Sequence, residues 1–329
     1  MGLKKRQVSV TDVFPFKGFR PTCYSWSTMR GIPSDRLLAF HGDTVLPPDF
    51  RLDRETEAVV DREVRVYRQF QKVRAGGAVG FRFRLGPVVT DYFVGNREPT
   101  VDPKEGPLRR VTWQPTSRND IPPGWRPSLI RNTLKRSGFT RLDGSPDYRK
   151  TWTQHARRHV RKWEQQTEWE IREVELRPFL EAYWKSPKDP VLKGMFKHFL
   201  KKKVEADGPL VHLAAAVRRS KPEEIGAGFA FVDAPEANMS IHAISFIRGM
   251  AKDSSAGHGL IDYWFQHARK TGIAYLNFGN FWAPGCPGEW LGFSEFKSQF
   301  GITFIEHPNT LGRWAGTLKE NFFPRKTQA

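Results

Sequence analysis

The chain reads GIAYLNFGN at residues 272–280 and, after a loop rich in glycine, proline and tryptophan, GFSEFKSQFG at residues 292–301. The first stretch predicts a strand over Ile273–Phe278, because apolar and aromatic residues fill it and glycines border it. The second predicts a helix over Glu289–Phe300 that ends at a glycine, followed by a strand at Ile302–Glu306. This order favours a cleft at the end of the first strand, where α/β folds bind their ligands.

The sequence upstream extends this pattern. Three short runs bounded by turn residues predict antiparallel strands, at residues 210–218, 224–232 and 239–246. A helix is expected at Leu260–Lys270, so the C-terminal part has the order β-β-β-α-β-α-β. The segment before it predicts helices at residues 150–166, 178–184 and 191–204 and a strand at residues 168–174.

The N-terminal half predicts a second α+β unit. The first 50 residues contain five prolines and few periodic apolar positions, which is typical of an irregular leader. After it we expect two helices and three strands, with the helices at residues 54–73 and 126–137 and the strands at 79–85, 88–94 and 110–114. The predicted fold class is α+β (mixed α/β), with an irregular leader at 1–50, one domain at 51–147 and another at 148–329.

The charge of the chain points to an anionic partner. Lys and Arg number 53 against 35 Asp and Glu, which gives a net charge of +18. Such an excess repels itself unless a nucleic acid, a lipid surface or an acidic substrate neutralises it. No apolar stretch approaches the roughly 20 residues of a membrane span. The basic start of the chain is not followed by an apolar core, so we expect no secretory signal and a cytoplasmic protein.

Cysteine and histidine give no metal or disulfide pattern. Cys23 and Cys286 are the only cysteines, which excludes a disulfide framework and every CxxC zinc motif. His155 and His159 have helical spacing, but no Glu lies between them and the intervening arginines would repel a cation. The sequence therefore predicts no metal site.

The two stretches quoted first resemble the signature of the FemAB-like branch of the GNAT acyltransferase fold. In that family a strand ending in an Asp-Phe-Gly-like turn is followed by Gly-(Leu)-x-x-Phe-Lys-x-x-Phe-Gly. The likeness is strongest over residues 210–305 and weaker over 120–175, and Asn277 departs from the acidic residue common at its position. The resemblance implies two GNAT-like domains, the N-terminal one degenerate, each with a mixed, mostly antiparallel sheet flanked by helices.

The resemblance also implies a function. Members of the family form amide bonds, usually by moving an aminoacyl group from charged tRNA to an amine of a peptide or a cell-wall precursor. No metal or redox cofactor is then required. Two alternatives remain: an N-acyltransferase of the same fold that uses acyl-coenzyme A, and a non-catalytic RNA-binding protein that keeps the fold without the chemistry.

Lys297 is the candidate for the catalytic cation. Aminoacyl transfer passes through a tetrahedral oxyanion, and a donor fixed beside that oxygen is usually the largest aid to catalysis. Alternatively, Lys297 is an ordinary lysine whose stem covers the rings of Phe296 and Phe300. The proton of the attacking amine would pass to His258, to Asp262 or to a water, and the sequence leaves these three open.

The loop after residue 278 is the candidate substrate site. Asn277, Gly279 and Asn280 follow the predicted strand, where a glycine lets a ligand approach the backbone. Trp282 and Phe296 belong to an aromatic set around this loop that suits an acyl chain or a peptide. The alternative is a simple turn and a closed loop.

A second glycine pair lies between a predicted strand and a predicted helix. Ser255, Gly257 and Gly259 occupy the position at which GNAT enzymes bind the pyrophosphate of coenzyme A with backbone N–H groups. Ser254 stands where the family has a basic or amide residue. A helix N-cap is the alternative.

The predicted helix at residues 150–166 carries the densest positive charge of the second half. The candidates for binding RNA phosphates are Arg157, Arg158, Arg161 and Lys162. Trp152 and Trp163 are candidates for stacking on bases, which makes tRNA the expected partner. A solvated basic face is the alternative. Residues 201–203, three lysines, face solvent or a lipid surface, which would allow peripheral membrane association.

Overall fold

A computed structural model describes residues 37–39, five positions between 57 and 65, and residues 70–316. Within the last range it leaves out 86–87, 96, 102–107, 116–119, 129–135, 143–146, 189, 284–285 and 287–289. Most of the expected leader, and most of the expected helix at 54–73, therefore lie outside the described residues.

The described strands and helices alternate most regularly in the C-terminal half. The strands are β1 (Leu37–Ala39), β2 (Gln71–Ala75), β3 (Ala78–Leu85), β4 (Val88–Val94), β5 (Arg109–Gln114), β6 (Arg126–Pro127), β7 (Arg136–Arg141), β8 (Trp169–Glu173), β9 (Val211–Arg218), β10 (Lys221–Ala234), β11 (Met239–Ile247), β12 (Tyr275–Asn280), β13 (Thr303–Glu306) and β14 (Leu311–Ala315). The helices are α1 (Gln154–Gln165), α2 (Leu176–Trp184), α3 (Pro190–Asp207), α4 (Ala256–Thr271) and α5 (Trp290–Ser298). None of the described helices is both long enough and apolar enough to span a bilayer.

Two mixed sheets organise the chain. The larger has the strand order β1-β13-β7-β12-β11-β10-β9-β8, and it is antiparallel except at the β1/β13 and β11/β12 pairs. The smaller has the order β2-β3-β4-β5-β14-β6, and only its β4/β5 pair is parallel. These two mixed, mostly antiparallel sheets with flanking helices confirm the predicted α+β fold class.

The sheets exchange strands across the expected domain boundary. β7 precedes residue 147 but lies in the larger sheet, between β12 and β13. β14, near the end of the chain, lies in the smaller sheet beside β5. β1 comes from the expected irregular leader and pairs with β13, so the leader is not irregular at Leu37–Ala39. The pairing thus departs from a division between residues 147 and 148.

The two faces of the larger sheet carry separate cores. Alternate residues of a strand point to opposite faces. Ala214 and Ala216 of β9 accordingly pack in one cluster with Trp264 of α4, and Ala215 packs in another with Phe179 of α2. Helices α1 and α4 contribute to the first core, whereas α2 and α3 contribute to the second.

The order β-β-β-α-β-α-β is confirmed as β9, β10, β11, α4, β12, α5 and β13. The helix predicted at residues 126–137 is wrong, because its ends form β6 and β7. Gly138, which we took as a helix end, lies inside β7, where a Cβ atom would overlap the ring of Phe281. Pairing with two neighbouring strands outweighs local helix propensity there. The helix predicted to run to residue 73 is also wrong at its end, since β2 begins at Gln71.

Candidate active site

β11 and β12 separate in the middle of the larger sheet. They pair in parallel over three positions, from Met239 opposite Tyr275 to Ile241 opposite Asn277. β11 continues to Ile247 without further pairing to β12. A register shift between β10 and β11 lies next to this point. We call the region beyond the last pair the β11–β12 splay; it frees backbone groups that a continuous ladder would use.

Lys297 reaches into this splay from α5. Its Nζ donates a hydrogen bond to the carbonyl oxygen of Phe278, the first residue of β12 after the last pair, at 2.6 Å. The ammonium also lies 4.9 Å from the ring centroid of Phe293 and 5.6 Å from that of Phe281. Burial, with a smaller effect of the positive charge on Lys188, lowers the pKa of Lys297 to about 7. Near neutral pH the amine is therefore populated in both protonation states.

Two further basic groups lie close to Lys297. Burial, and then the charges of Lys297 and Lys188, hold the pKa of His242 well below its ordinary value. His242 lies on β11 with its ring stacked on Phe229 at 4.7 Å, and its Nε2 is buried without a hydrogen-bond partner among the described residues. No carboxylate of the described residues forms an ion pair with Lys297 or Lys188. Such a group of uncompensated donors suits an anionic ligand.

The sequence did not single out His242 or Lys188. His242 is one polar residue in the strand run MSIHAISFI, and Lys188 lies in the turn between α2 and α3. Neither position belongs to a spaced motif. Only the fold brings them near Lys297.

Asn277, expected to bind substrate, is engaged within the protein. Its Oδ1 accepts the backbone N–H of Gly279 at 2.8 Å, and its Nδ2 lies 3.6 Å from the sulfur of Met239. Asn277 therefore shapes the end of β12. Asn280 is half-buried and pairs with Ser137 of β7. Both asparagines therefore lie close to the splay, where they support the backbone of β12.

Trp282, which we expected in an aromatic surface around the substrate loop, lies inside the protein. Trp282 is only 3% exposed and packs with Ala283, Cys286 and Trp290. Its backbone N–H donates to Ser294 Oγ at 2.7 Å, which fastens the loop to α5. Trp282 is therefore not an open surface for an acyl chain. Phe296 is half-buried and packs edge-on against His258, with the ring centroids 5.0 Å apart.

The segment expected to form a phosphate-binding loop begins helix α4 instead. The carbonyl oxygen of Ser255 accepts the N–H groups of His258 and Gly259, at 3.0 and 3.2 Å. A Cβ atom at Gly259 would lie 2.6 Å from the indole of Trp163, so this glycine allows α1 to approach α4. Ser255 Oγ lies 2.9 Å from His159 Nδ1. The helix predicted to begin at Leu260 therefore begins four residues earlier, at Ala256, and Gly257 stands in its first turn.

His258 belongs to a group of three neighbouring histidines and stacks on one of them. Its ring lies 4.6 Å from that of His159, which lies 4.4 Å from that of His155. Burial is the largest cause that lowers the pKa of His258 to about 4, so the ring is neutral at pH 7. Its Nε2 faces Gln299 Oε1 at 3.4 Å. A base with so low a pKa holds a proton poorly at neutral pH.

Asp262, the other proton acceptor considered, is a saturated structural carboxylate. Arg149 donates to both of its oxygens, at 2.7 and 2.6 Å, and the hydroxyl of Tyr148 donates at 2.8 Å. Gln266 adds a fourth donor at 2.6 Å. Asp262 therefore ties the turn before α1 to α4 and is not available as a base.

The basic residues of α1 border an open cavity of about 780 Å³. Its lining is Asp147, Arg149, Lys150, Gln154, His155, Arg157, Arg158 and Arg161. Arg158, Arg161 and Lys162 are exposed, and Lys162 lies outside the cavity lining. Three of the four basic residues predicted on this helix therefore converge on one concave surface, which we call the α1 cavity.

Two aromatic residues and one lysine depart from the prediction for these basic surfaces. Trp152 is 2% exposed, in the core, so it does not present its indole to a base. Trp163 packs against Gly259. Lys203 is 5% exposed and lies over the ring of Phe199, so only part of the 201–203 run faces outward.

Comparisons with known proteins were made on sequence and on structure. No protein-family model matches the chain, and no curated protein matches it either. Among solved structures, FemX aligns with a TM-score of 0.55 at 10% identity, over 79% of this chain and 90% of FemX. A conserved protein of unknown function from Bacteroides thetaiotaomicron aligns with a TM-score of 0.50 at 12% identity, over 80% of this chain and 90% of that one.

A tandem GNAT protein from the clavulanic acid biosynthesis pathway is also similar, with a TM-score of 0.46 at 9% identity over 85% of this chain and 98% of that one. Sequence identities this low indicate a shared fold and give no information about the reaction. The chain shares the fold of FemX, in agreement with the fold that the sequence resemblance implies.

Proposed function

We propose that this chain is an acyltransferase that forms an amide bond by moving an aminoacyl group from charged tRNA to an amine of a peptide or cell-wall precursor. One observation carries the proposal. Lys297, in the stretch that resembles the family signature, is half-buried and holds its Nζ at the β11–β12 splay without a carboxylate partner among the described residues. Removing an ammonium from water without a compensating carboxylate costs free energy. Its retention at this position favours a role in stabilising the negative charge that develops during the reaction.

The reaction requires one donor and one proton path. The acceptor amine attacks the ester carbonyl of the aminoacyl group, the C–N bond forms, and the bond from carbon to the ribose oxygen breaks. The amine loses a proton and the ribose hydroxyl gains one. When protonated, Lys297 has three N–H donors, of which one serves Phe278. The others would bind the oxyanion of the tetrahedral intermediate.

Lys297 also suits the proton transfer. A pKa of about 7 lets the same amine accept a proton from the nucleophile and return it to the leaving oxygen at neutral pH. His258 is a weaker base, and Asp262 is fully hydrogen-bonded. A water is the remaining alternative to Lys297 in this role.

The α1 cavity supports tRNA as the donor over acyl-coenzyme A. Its arginines present guanidinium groups, which bind phosphate oxygens in a bidentate way.

A donor screen tests the proposal. The purified chain is incubated with amine acceptors and a mixture of tRNAs carrying isotope-labelled amino acids, and in a second arm with labelled acetyl-coenzyme A. Mass spectrometry then follows the label. We expect the acceptor to gain an amino acid from tRNA and no acetyl group. Transfer from coenzyme A alone would select the acyl-coenzyme A alternative, and tRNA binding without transfer would select a non-catalytic RNA-binding protein.

A further inference from the structure

Four chemistry-bearing side chains that the proposed function does not use meet where one edge of the larger sheet contacts α4. They come from four different elements: Glu173 from β8, His212 from β9, Asp233 from β10 and His267 from α4. The sequence analysis did not single out these residues, which lie 39, 21 and 34 positions apart along the chain and form no local spacing motif. Only the antiparallel pairing of β8, β9 and β10 brings them together.

The contacts in this cluster are short and directional. Asp233 Oδ2 lies 2.8 Å from His267 Nε2 and 3.2 Å from His212 Nε2. Glu173 Oε1 lies 3.0 Å from His212 Nδ1. One nitrogen of each imidazole and one carboxylate oxygen of Glu173 all lie within 4.8 Å of one another. Small side-chain rotations therefore suffice to bring the three onto one ion.

Asp233 occupies the position behind the ligands that metal sites require. It is 6% exposed, and one oxygen faces the Nε2 atoms of both imidazoles. A ligating histidine almost always donates its other ring N–H to a carboxylate or carbonyl, which fixes the tautomer and the ring orientation. Here one buried carboxylate faces the Nε2 atoms of two rings, while Nδ1 of His212 faces Glu173 Oε1 at 3.0 Å, where an ion could replace the hydrogen bond between them.

The charge and the exposure of the cluster also suit a divalent cation. Glu173 and Asp233 together supply two negative charges, which match the charge of such an ion, and ligation requires the imidazoles in their neutral form. Glu173 is exposed, so the ion has a path from solvent. The hydroxyl of Tyr263 donates to Glu173 Oε1 at 3.2 Å and holds that carboxylate beside the rings.

We propose that Glu173, His212 and His267 bind a zinc-type divalent metal ion, with Asp233 as the carboxylate that positions both imidazoles. Two imidazole nitrogens and one carboxylate oxygen are a donor set that Zn²⁺ accepts in tetrahedral geometry, and a water completes the fourth position. The ion would clamp β8 and β9, at the edge of the larger sheet, to the second half of α4. His267 lies nine residues after His258, so the site is about 13 Å further along the helix than His258.

The test uses the full chain after dialysis against a chelator. Calorimetric titration with zinc chloride should give one ion bound per chain and a higher melting temperature. His212→Ala and His267→Ala should abolish this binding. Asp233→Asn should weaken it by roughly 10-fold to 100-fold, because it removes only the carboxylate behind the rings. The matched control is His155→Ala with His159→Ala, the other histidine pair, which should leave the zinc affinity unchanged.

Two results would overturn the proposal. One is the absence of zinc binding to the wild-type chain; the other is binding that survives His212→Ala and His267→Ala. Because a variant that fails to fold would also lose the site, X-ray absorption of the zinc-loaded wild-type chain is the second measurement. It should show two imidazole ligands with oxygen neighbours, and a spectrum without imidazole scattering contradicts the site.

Discussion

Two charged side chains, the buried Asp262 and the half-buried Lys297, differ in what surrounds them. Asp262 receives four hydrogen bonds, two of them from the guanidinium of Arg149, so its charge is compensated within the chain. Lys297 donates to one carbonyl oxygen, that of Phe278, and has no carboxylate partner among the described residues. The first charge holds two elements together. The second is that of Lys297; burial lowers its pKa to about 7, and its amine stays available to a ligand.

This difference separates a structural charge from a functional one. Burying a charge costs several kcal/mol unless a partner offsets it, so folding alone does not retain an unpaired ammonium. The chain keeps Lys297 where β11 and β12 separate. We therefore assign the stability of the α1–α4 contact to Asp262 and the chemistry to Lys297.

The largest expected effect follows from removing the compensated charge, that of Asp262. Asp262→Asn keeps the shape of the side chain but removes the charge that offsets Arg149, so we expect the free energy of unfolding to fall by about 3 kcal/mol. Urea denaturation measures it. Asp253→Asn, at an exposed aspartate, is the matched control and should change little. An unchanged unfolding midpoint for Asp262→Asn would remove its structural role.

The pH dependence of the free energy of unfolding tests the lowered pKa of Lys297. Lys297 has a pKa of about 7 when folded and the ordinary value near 10.5 when unfolded. Between these values the unfolded chain binds more protons, so its charge penalises folding fully below about pH 7 and less as the pH rises. We expect the wild-type chain to gain stability from about pH 7 to about pH 9 relative to Lys297→Met. If the free energies of unfolding of the wild type and of Lys297→Met changed with pH in parallel, the lowered pKa of Lys297 would be contradicted. Lys270→Met, at an exposed lysine, should follow the wild type.

The smallest expected effect concerns charges that are uncompensated but exposed. Arg158→Glu with Arg161→Glu should weaken tRNA binding and reduce the slope of log affinity against log salt by about one to two units, since each lost phosphate contact lowers the slope by roughly 0.7 to 0.9. Filter binding over a salt series measures it. Lys201→Glu with Lys202→Glu makes the same charge change on α3 and should reduce the slope less. Equal slopes for both pairs would make the α1 cavity an ordinary basic surface.

The sequence predicted the C-terminal order of strands and helices because its turns and periodic apolar runs are local signals. It also placed Lys297 correctly at the end of a helix after β12. The helix expected at residues 126–137 failed because Gly138 serves a contact with Phe281, a residue distant in the chain. The helix that follows was predicted to begin at Leu260 because glycine is a poor helix former, but it begins at Ala256 and includes Gly259, which makes room for Trp163.

The candidate site was predictable only in part. Lys297 lies in a recognisable stretch, but its lowered pKa depends on burial and on Lys188, and neither can be read from spacing. His242 depends on the separation of β11 and β12, which is a property of the sheet. Residues brought together by non-local pairing leave no periodic pattern in the sequence.

The single-turnover rate of aminoacyl transfer by Lys297→Met tests the central claim most directly. Methionine keeps the length and the apolar contacts of the side chain but cannot donate to an oxyanion or carry a proton. The account predicts a rate roughly 10²-fold to 10³-fold below that of the wild type, with an unchanged Kd for charged tRNA, while Lys270→Met keeps the wild-type rate. A wild-type rate for Lys297→Met would contradict it.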